Sequence, residues 1–175
     1  MDALSFVQLA TSRSRAEFIT SCPFPFLVGK VTLNEPLQPQ RTIGFEDGVT
    51  QAMLRAKAEK GPQEGPMVLA VRKVQETFPD MITVGRTRNN DLVLTDVQVS
   101  KFHAYFRAHG RDMELVDAGS INGTRVGEDA LPPKGTGRVV RLGDRVRFGH
   151  LEFTFLDAGG CWDTIKNWSR SVGVP

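Results

Sequence analysis

An all-β sandwich or barrel with helical segments at both ends is the fold class that this 175-residue sequence predicts. Three observations carry it. From Met67 onward, short apolar and partly β-branched runs recur at close spacing. Turn residues separate them, as in Arg88-Asn89-Asn90-Asp91, His109-Gly110-Arg111-Asp112 and Leu142-Gly143-Asp144. Alternation is cleanest near the end: Val146, Phe148, Leu151, Phe153 and Phe155 share one face, and Arg145, Arg147, Glu152 and Thr154 share the other.

In chain order, Ser14-Arg15-Ala16-Glu17 has capping-box spacing and opens a short helix that Pro23 must end. Phe26–Leu33 is apolar and partly β-branched, which predicts a strand. Good helix formers fill Asp47–Lys60, and Gly61-Pro62 supplies the stop. Gly61-Pro62-Gln63-Glu64-Gly65-Pro66 is the clearest linker. The expected organisation is an N-terminal α/β extension over 1–60, a linker over 61–66, the sandwich over 67–157 and a tail over 158–175. Candidate strands in the sandwich are Met67–Val74, Met81–Gly85, Asp91–Leu94, Ala104–Ala108, Met113–Asp117, Thr124–Val126, Arg138–Leu142, Arg145–Phe148 and Leu151–Leu156. In the tail, Asp163–Ser171 reads as a helix with Asp163 as N-cap, Gly173 past its end and Trp162, Ile165 and Trp168 on one face.

Composition narrows the function. At 40% hydrophobic and 24% charged, the chain can close a core, which excludes wholesale disorder. A net charge of +2 excludes gripping nucleic acid or an anionic membrane through a global field, so phosphate recognition has to come from a local constellation. Two cysteines, Cys22 and Cys161, make neither a disulfide framework nor a zinc cluster, and free thiols in a reducing compartment are expected. No metal or cofactor is expected. The first apolar stretch, Leu4–Ala10, is too short and polar for a secretory segment, and no run approaches a membrane span. These points predict a soluble cytoplasmic protein.

The informative residues fall in loops, where a rigid sandwich presents binding groups. Gly85-Arg86 ends one strand, Ser100-Lys101-Phe102-His103 precedes another, and Ser120-Ile121-Asn122-Gly123 makes a turn. In this order, Gly85-Arg86, Ser100-x-x-His103 and Ser120-x-Asn122-Gly123 resemble the forkhead-associated (FHA) domain. The surrounding Asn90-Asp91-Leu92-Val93-Leu94, Leu115-Val116-Asp117 and Leu142-Gly143-Asp144-Arg145-Val146-Arg147-Phe148-Gly149 agree with it. The resemblance covers roughly residues 67–157. It implies a two-sheet β-sandwich of eleven strands and recognition of phosphothreonine in an extended peptide. The partners so implied are threonine-phosphorylated proteins, the products of a Ser/Thr kinase.

The residue types suit that ligand. Phosphothreonine carries about −1.5 to −2 charge and three acceptor oxygens. Arg86 offers a planar fork of donors, Ser100 a hydroxyl, Lys101 a flexible second cation, and Asn122 a donor and an acceptor for the ligand main chain. The resemblance assigns phosphopeptide contact to Arg86, Ser100 and Asn122; Lys101 joins them as a nearby cation and Ile121 through its backbone, while Gly85, His103 and Gly123 support the site. Many members carry Thr or Ser where Ile121 stands, so this chain offers backbone contacts there without a hydroxyl.

Ser100, His103 and Asp117 could suggest a hydrolase triad, but no Gly-x-Ser-x-Gly elbow is present and the serine opens a loop, so no catalysis is expected. Arg138, Arg141, Arg145 and Arg147 make a basic stripe without interleaved aromatics, which reads as a solvated face pairing with Glu152 and Asp144. The expected function is a signalling adaptor that binds threonine-phosphorylated proteins. The alternative is a phosphate-independent scaffold using the sandwich face or the terminal extensions.

Overall fold

The computed structural model describes residues 3–32, 64–110 and 112–171. Residues 1–29 and 66–175 form one compact unit. Of the second unit, residues 30–65, the described residues are the ends of two strands. The expected helix over Asp47–Lys60 lies outside the described residues.

The described residues begin with helices α1 (Ala3–Ser12) and α2 (Arg15–Ser21), and among them eleven strands follow. These are β1 (Phe26–Thr32), β2 (Glu64–Ala70), β3 (Ile82–Gly85), β4 (Leu92–Val93), β5 (Ala104–His109), β6 (Asp112–Asp117), β7 (Thr124–Val126), β8 (Asp129–Ala130), β9 (Arg138–Val140), β10 (Arg145–Phe148) and β11 (Leu151–Leu156). Helix α3 (Ala158–Ser171) closes the described chain. A six-stranded sheet has the order β2-β1-β11-β10-β7-β8, and a five-stranded sheet the order β4-β3-β5-β6-β9. This is the two-sheet sandwich of eleven strands that the resemblance implies.

All nine candidate strands from Met67 onward have counterparts; β1 and β8 complete the set. The sequence places β1 in the N-terminal extension, yet it pairs antiparallel with β11, Phe26 opposite Leu156 and Gly29 opposite Phe153. β8 is two residues long, too short for alternation to reveal. β2 begins at Glu64, inside the stretch that reads as a linker.

Alternation sorts side chains as expected in the last hairpin. Val146, Phe148, Phe153 and Phe155 are buried between the sheets with Leu27, Val84, Leu94, Phe106 and Leu115. Arg145 lies opposite Thr154 and Arg147 opposite Glu152 on the other face. Of the basic stripe, Arg145 pairs with Glu152 at 3.8 Å and Arg138 with Asp129, while the Asp144 carboxylate accepts from the Arg141 N–H at 2.9 Å.

A second apolar layer lies on the outer face of the six-stranded sheet. Phe26, Val28 and Val68 meet Phe6, Ala10, Phe18, Cys22, Cys161 and Ile165 from the helices. Phe18 stacks on Phe26 at 5.9 Å, and Phe6 meets Phe26 edge-on at 5.3 Å. α2 starts as its capping box predicts: the Ser14 hydroxyl accepts from the Glu17 N–H, and the Glu17 carboxylate accepts from the Ser14 N–H at 2.9 Å. α3 starts five residues earlier than the sequence suggests. Asp157 caps it, its carboxylate accepting from the Gly160 N–H at 2.7 Å, and Asp163 instead pairs with Arg15 of α2 at 3.1 Å. Ile165 is fully buried, and the Trp162 indole N–H donates to the Arg13 carbonyl at 3.2 Å, so this helix packs back onto the sandwich. Cys22 and Cys161 are both buried free thiols, and burial pushes Cys161 up to about 12. Among the described residues, no helix is long and apolar enough to cross a membrane.

Candidate phosphopeptide site

Three loops at one end of the sandwich bring together the residues singled out in sequence. They follow β3, precede β5 and follow β6. Backbone bonds knit the first two: the Arg86 N–H donates to the Ser100 carbonyl at 2.9 Å, and the His103 N–H to the Val84 carbonyl at 2.8 Å. The third loop joins through the Ala118 N–H to the His103 carbonyl at 3.0 Å.

His103 is the central brace. It is fully buried, and its Nδ1 accepts from the Ser100 N–H at 3.0 Å. That bond fixes the tautomer, so Nε2–H donates to the Gly123 carbonyl at 3.1 Å. Burial lowers its pKa, against the raising influence of the Gly123 carbonyl and the Asp117 charge. The neutral ring therefore ties the second loop to the third.

Gly85 and Gly123 are required for different reasons. Gly123 has φ +77°, a left-handed conformation that favours glycine. Gly85 is there for space: a Cβ would overlap the Lys101 carbonyl oxygen and come within 2.8 Å of Asn90 Nδ2. That contact exists because Asn90 Nδ2 donates to the Lys101 carbonyl at 2.8 Å and to the Thr87 carbonyl at 2.8 Å. Asn90 is 3% exposed and spans two site loops.

Asp117 does the same for the third loop. Its carboxylate, 1% exposed, accepts from the N–H groups of Gly119 and Ser120 at 2.8 and 2.9 Å. It also accepts from the hydroxyls of Ser120 and Thr124 at 2.6 and 2.5 Å. Burial alone would raise its pKa, but these donors outweigh burial and hold the carboxyl below its ordinary value. Asp117 is thus saturated with hydrogen bonds as a loop anchor and is not oriented as the acid of a triad. In the sequence, Asn90 and Asp117 belong to stretches that accompany the FHA resemblance but are not singled out as site residues, because the fold alone sets their partners: backbone carbonyls for Asn90, two N–H groups and two hydroxyls for Asp117.

The candidate ligand-facing groups project from this frame. Arg86 and Lys101 are exposed, and among the described residues neither the guanidinium nor the ammonium has a hydrogen-bond or ion-pair partner. The Ser100 hydroxyl accepts from the Ile121 N–H at 3.1 Å, which leaves its own O–H free to donate. One N–H of the exposed Asn122 amide donates to the Gln98 carbonyl at 2.8 Å, leaving the other N–H and Oδ1 outward. Ile121 presents its backbone to Ser100 and its side chain, 88% exposed, to solvent. The result is two cations, a hydroxyl and an amide on a hydrogen-bonded floor, an arrangement suited to a compact anion attached to an extended chain.

Known proteins match this description. The family model for the FHA domain matches residues 82–149, which holds all three loops. The glycogen accumulation regulator GarA of Mycolicibacterium smegmatis is 27% identical over 157 residues, covering 90% of this chain and 87% of that protein. The oxoglutarate dehydrogenase inhibitor of Corynebacterium jeikeium is 34% identical over 111 residues, 63% of this chain and 69% of that protein. A solved structure from a study of phosphothreonine-dependent FHA domain interactions superposes with a TM-score of 0.41 at 26% identity, covering 51% of this chain and 82% of that one. With the loops in register and these relatives along most of its length, the chain belongs to the FHA-domain family.

Proposed function

We infer that the protein is a non-catalytic adaptor in which the loop end of the sandwich captures phosphothreonine. Arg86 forks onto two phosphate oxygens, Ser100 donates its hydroxyl to the phosphate, and Lys101 adds a second cation. Asn122 and the backbone at Ile121 hold the peptide main chain, while Gly85, His103 and Gly123 keep the loops in place. The observation that carries this reading is the exposed Arg86 guanidinium, unpartnered among the described residues, next to a Ser100 hydroxyl whose own proton is free. The partners are threonine-phosphorylated proteins made by a Ser/Thr kinase. Relatives named as an oxoglutarate dehydrogenase inhibitor and as a regulator of glycogen accumulation make metabolic enzymes a partner class to screen. Two buried free thiols support a reducing compartment such as the cytoplasm.

A phosphothreonine peptide array, followed by titration of its hits, tests the reading. Arg86→Ala should weaken binding by about 2–5 kcal/mol, roughly thirtyfold or more, with unfolding unchanged. Binding that ignores dephosphorylation, or survives Arg86→Ala, sinks it.

The exposed side chain of Ile121 favours a second reading, in which the same loop face docks a folded partner without phosphate. A partner recovered equally by wild type and Arg86→Ala, but lost with Ile121→Asp, would select it.

A further inference from the structure

Beside the site loops, three rings stack in a row. Phe78 lies over Phe102 with centroids 6.0 Å apart and 13° between planes. Phe102 lies over Tyr105 at 6.2 Å and 8°. Phe78 is 57% exposed and Phe102 39%, so the row leaves aromatic surface open at its outer end.

Phe78 is held there against its own preference. Its φ of +56° is left-handed, a conformation that a residue with a Cβ adopts only where its surroundings enforce it. The enforcement comes from Asp91, whose side chain is fully buried. Its carboxylate accepts from the N–H groups of Val74 and Gln75 at 2.7 and 2.6 Å and from Lys73 Nζ at 2.9 Å. Lys73 Nζ also donates to the Thr77 and Met81 carbonyls at 2.7 and 2.8 Å, on either side of Phe78. The loop is therefore clamped and presents its aromatic ring to solvent.

The row is rooted next to the phosphate site through Phe102. Phe102 is two residues beyond Ser100, so their Cα atoms are at most about 7 Å apart.

We propose that the Phe78–Phe102–Tyr105 row is a docking strip for an apolar side chain of the same polypeptide that carries the phosphothreonine, placed two to five residues from it. The strip supplies selectivity that the phosphate contacts cannot, because Arg86, Ser100 and Lys101 read the anion alone. This rests on the phosphopeptide reading above.

The test screens the full chain against a peptide library with phosphothreonine fixed at the centre and six randomised positions on each side. Wild type should enrich a bulky aliphatic or aromatic residue at a position two to five residues from the phosphate. Phe78→Ser and Phe102→Ser should abolish that enrichment and weaken the best selected peptide about tenfold. They should leave unchanged the affinity for a short phosphothreonine peptide flanked by alanines. Phe78→Ser lies in a loop separate from Ser100, so it keeps the readout interpretable if Phe102→Ser disturbs the site. Phosphate-dependent binding without apolar enrichment overturns the docking strip alone. Equal weakening of short and selected peptides also overturns it, since the rings would then act by shaping the loop. Failure of wild type to bind any phosphorylated peptide sinks the phosphopeptide reading and the strip with it. A concentration-dependent dimer that both substitutions dissolve assigns the rings to a second copy and overturns the proposal.

Discussion

At the loop end, residues meet through directed bonds: His103 between Ser100 and Gly123, Asn90 between Thr87 and Lys101, Asp117 beneath Gly119, Ser120 and Thr124. In the helical layer, contact is mostly apolar area, with Phe6, Phe18, Cys22 and Ile165 packed on Phe26 and Val28. Hydrogen bonds fix angles and positions to fractions of an ångström but add little net stability; buried apolar area adds stability with little directionality. The comparison separates two tasks. The loop end sets geometry for exposed cations, and the helical layer helps hold the sheet that carries those loops.

Substitutions can break that division or sharpen it. The largest effect is expected for Phe18→Ala, which removes a fully buried ring from the helical layer. It should lower unfolding stability by about 3–5 kcal/mol in chemical denaturation while leaving phosphopeptide affinity within twofold in native conditions. A parallel loss of affinity would show that the two regions are not separable.

Acid tests the polar side. Burial would raise the Asp91 carboxyl, but N–H groups of Gln75, Thr83 and Val74 together with Lys73 bring it from 3.8 down to about 2. A depressed folded pKa means that the unfolded chain binds the proton first. The stabilisation is therefore present above the unfolded value and lost as pH falls through the folded one. About 2 kcal/mol should disappear between roughly pH 4 and pH 2, and Asp91→Asn should flatten that part of the stability profile. An unchanged profile would mean that other carboxylates carry the acid sensitivity.

Gly85→Ala sharpens the contrast by acting on both properties at one atom. The added methyl must displace the Lys101 carbonyl, so stability should fall by about 1–3 kcal/mol and phosphopeptide binding should fall with it. Retained affinity would show that the first two loops move independently. The smallest effect is expected for Arg15→Ala. Its ion pair with Asp163 is about half exposed on both sides, so its loss should leave the denaturation midpoint almost unchanged.

How legible each region was follows from the same physics. The sandwich strands show in the sequence because a half-buried strand must alternate, and Val146 through Phe155 does so. β8 escaped because two residues carry no period. The true start of α3 escaped because Ala158-Gly159-Gly160 carries little helix propensity, and the helix opens there only because the Asp157 carboxylate accepts from the Gly160 N–H. At the loop end, the ordered Arg86, Ser100 and Asn122 stood out through the family resemblance. Asn90, Asp117 and the Phe78 row did not, because their roles depend on which backbone groups and rings the fold brings alongside them. Nothing local in Thr-Arg-Asn-Asn-Asp tells that Asn90 will reach the Lys101 carbonyl.

The ends of the sheets bear on how the molecule meets others. Among the described residues, both sheets terminate in strands poorly suited to adding another chain: β4 and β8 are two residues long and β9 is three. The remaining edge strand, β2, carries Pro66, which has no N–H to donate. An open edge invites pairing with any extended segment, and short or proline-bearing edges refuse it. A molecule that handles extended peptides as ligands is thereby guarded against capturing them, or its own copies, by indiscriminate sheet extension.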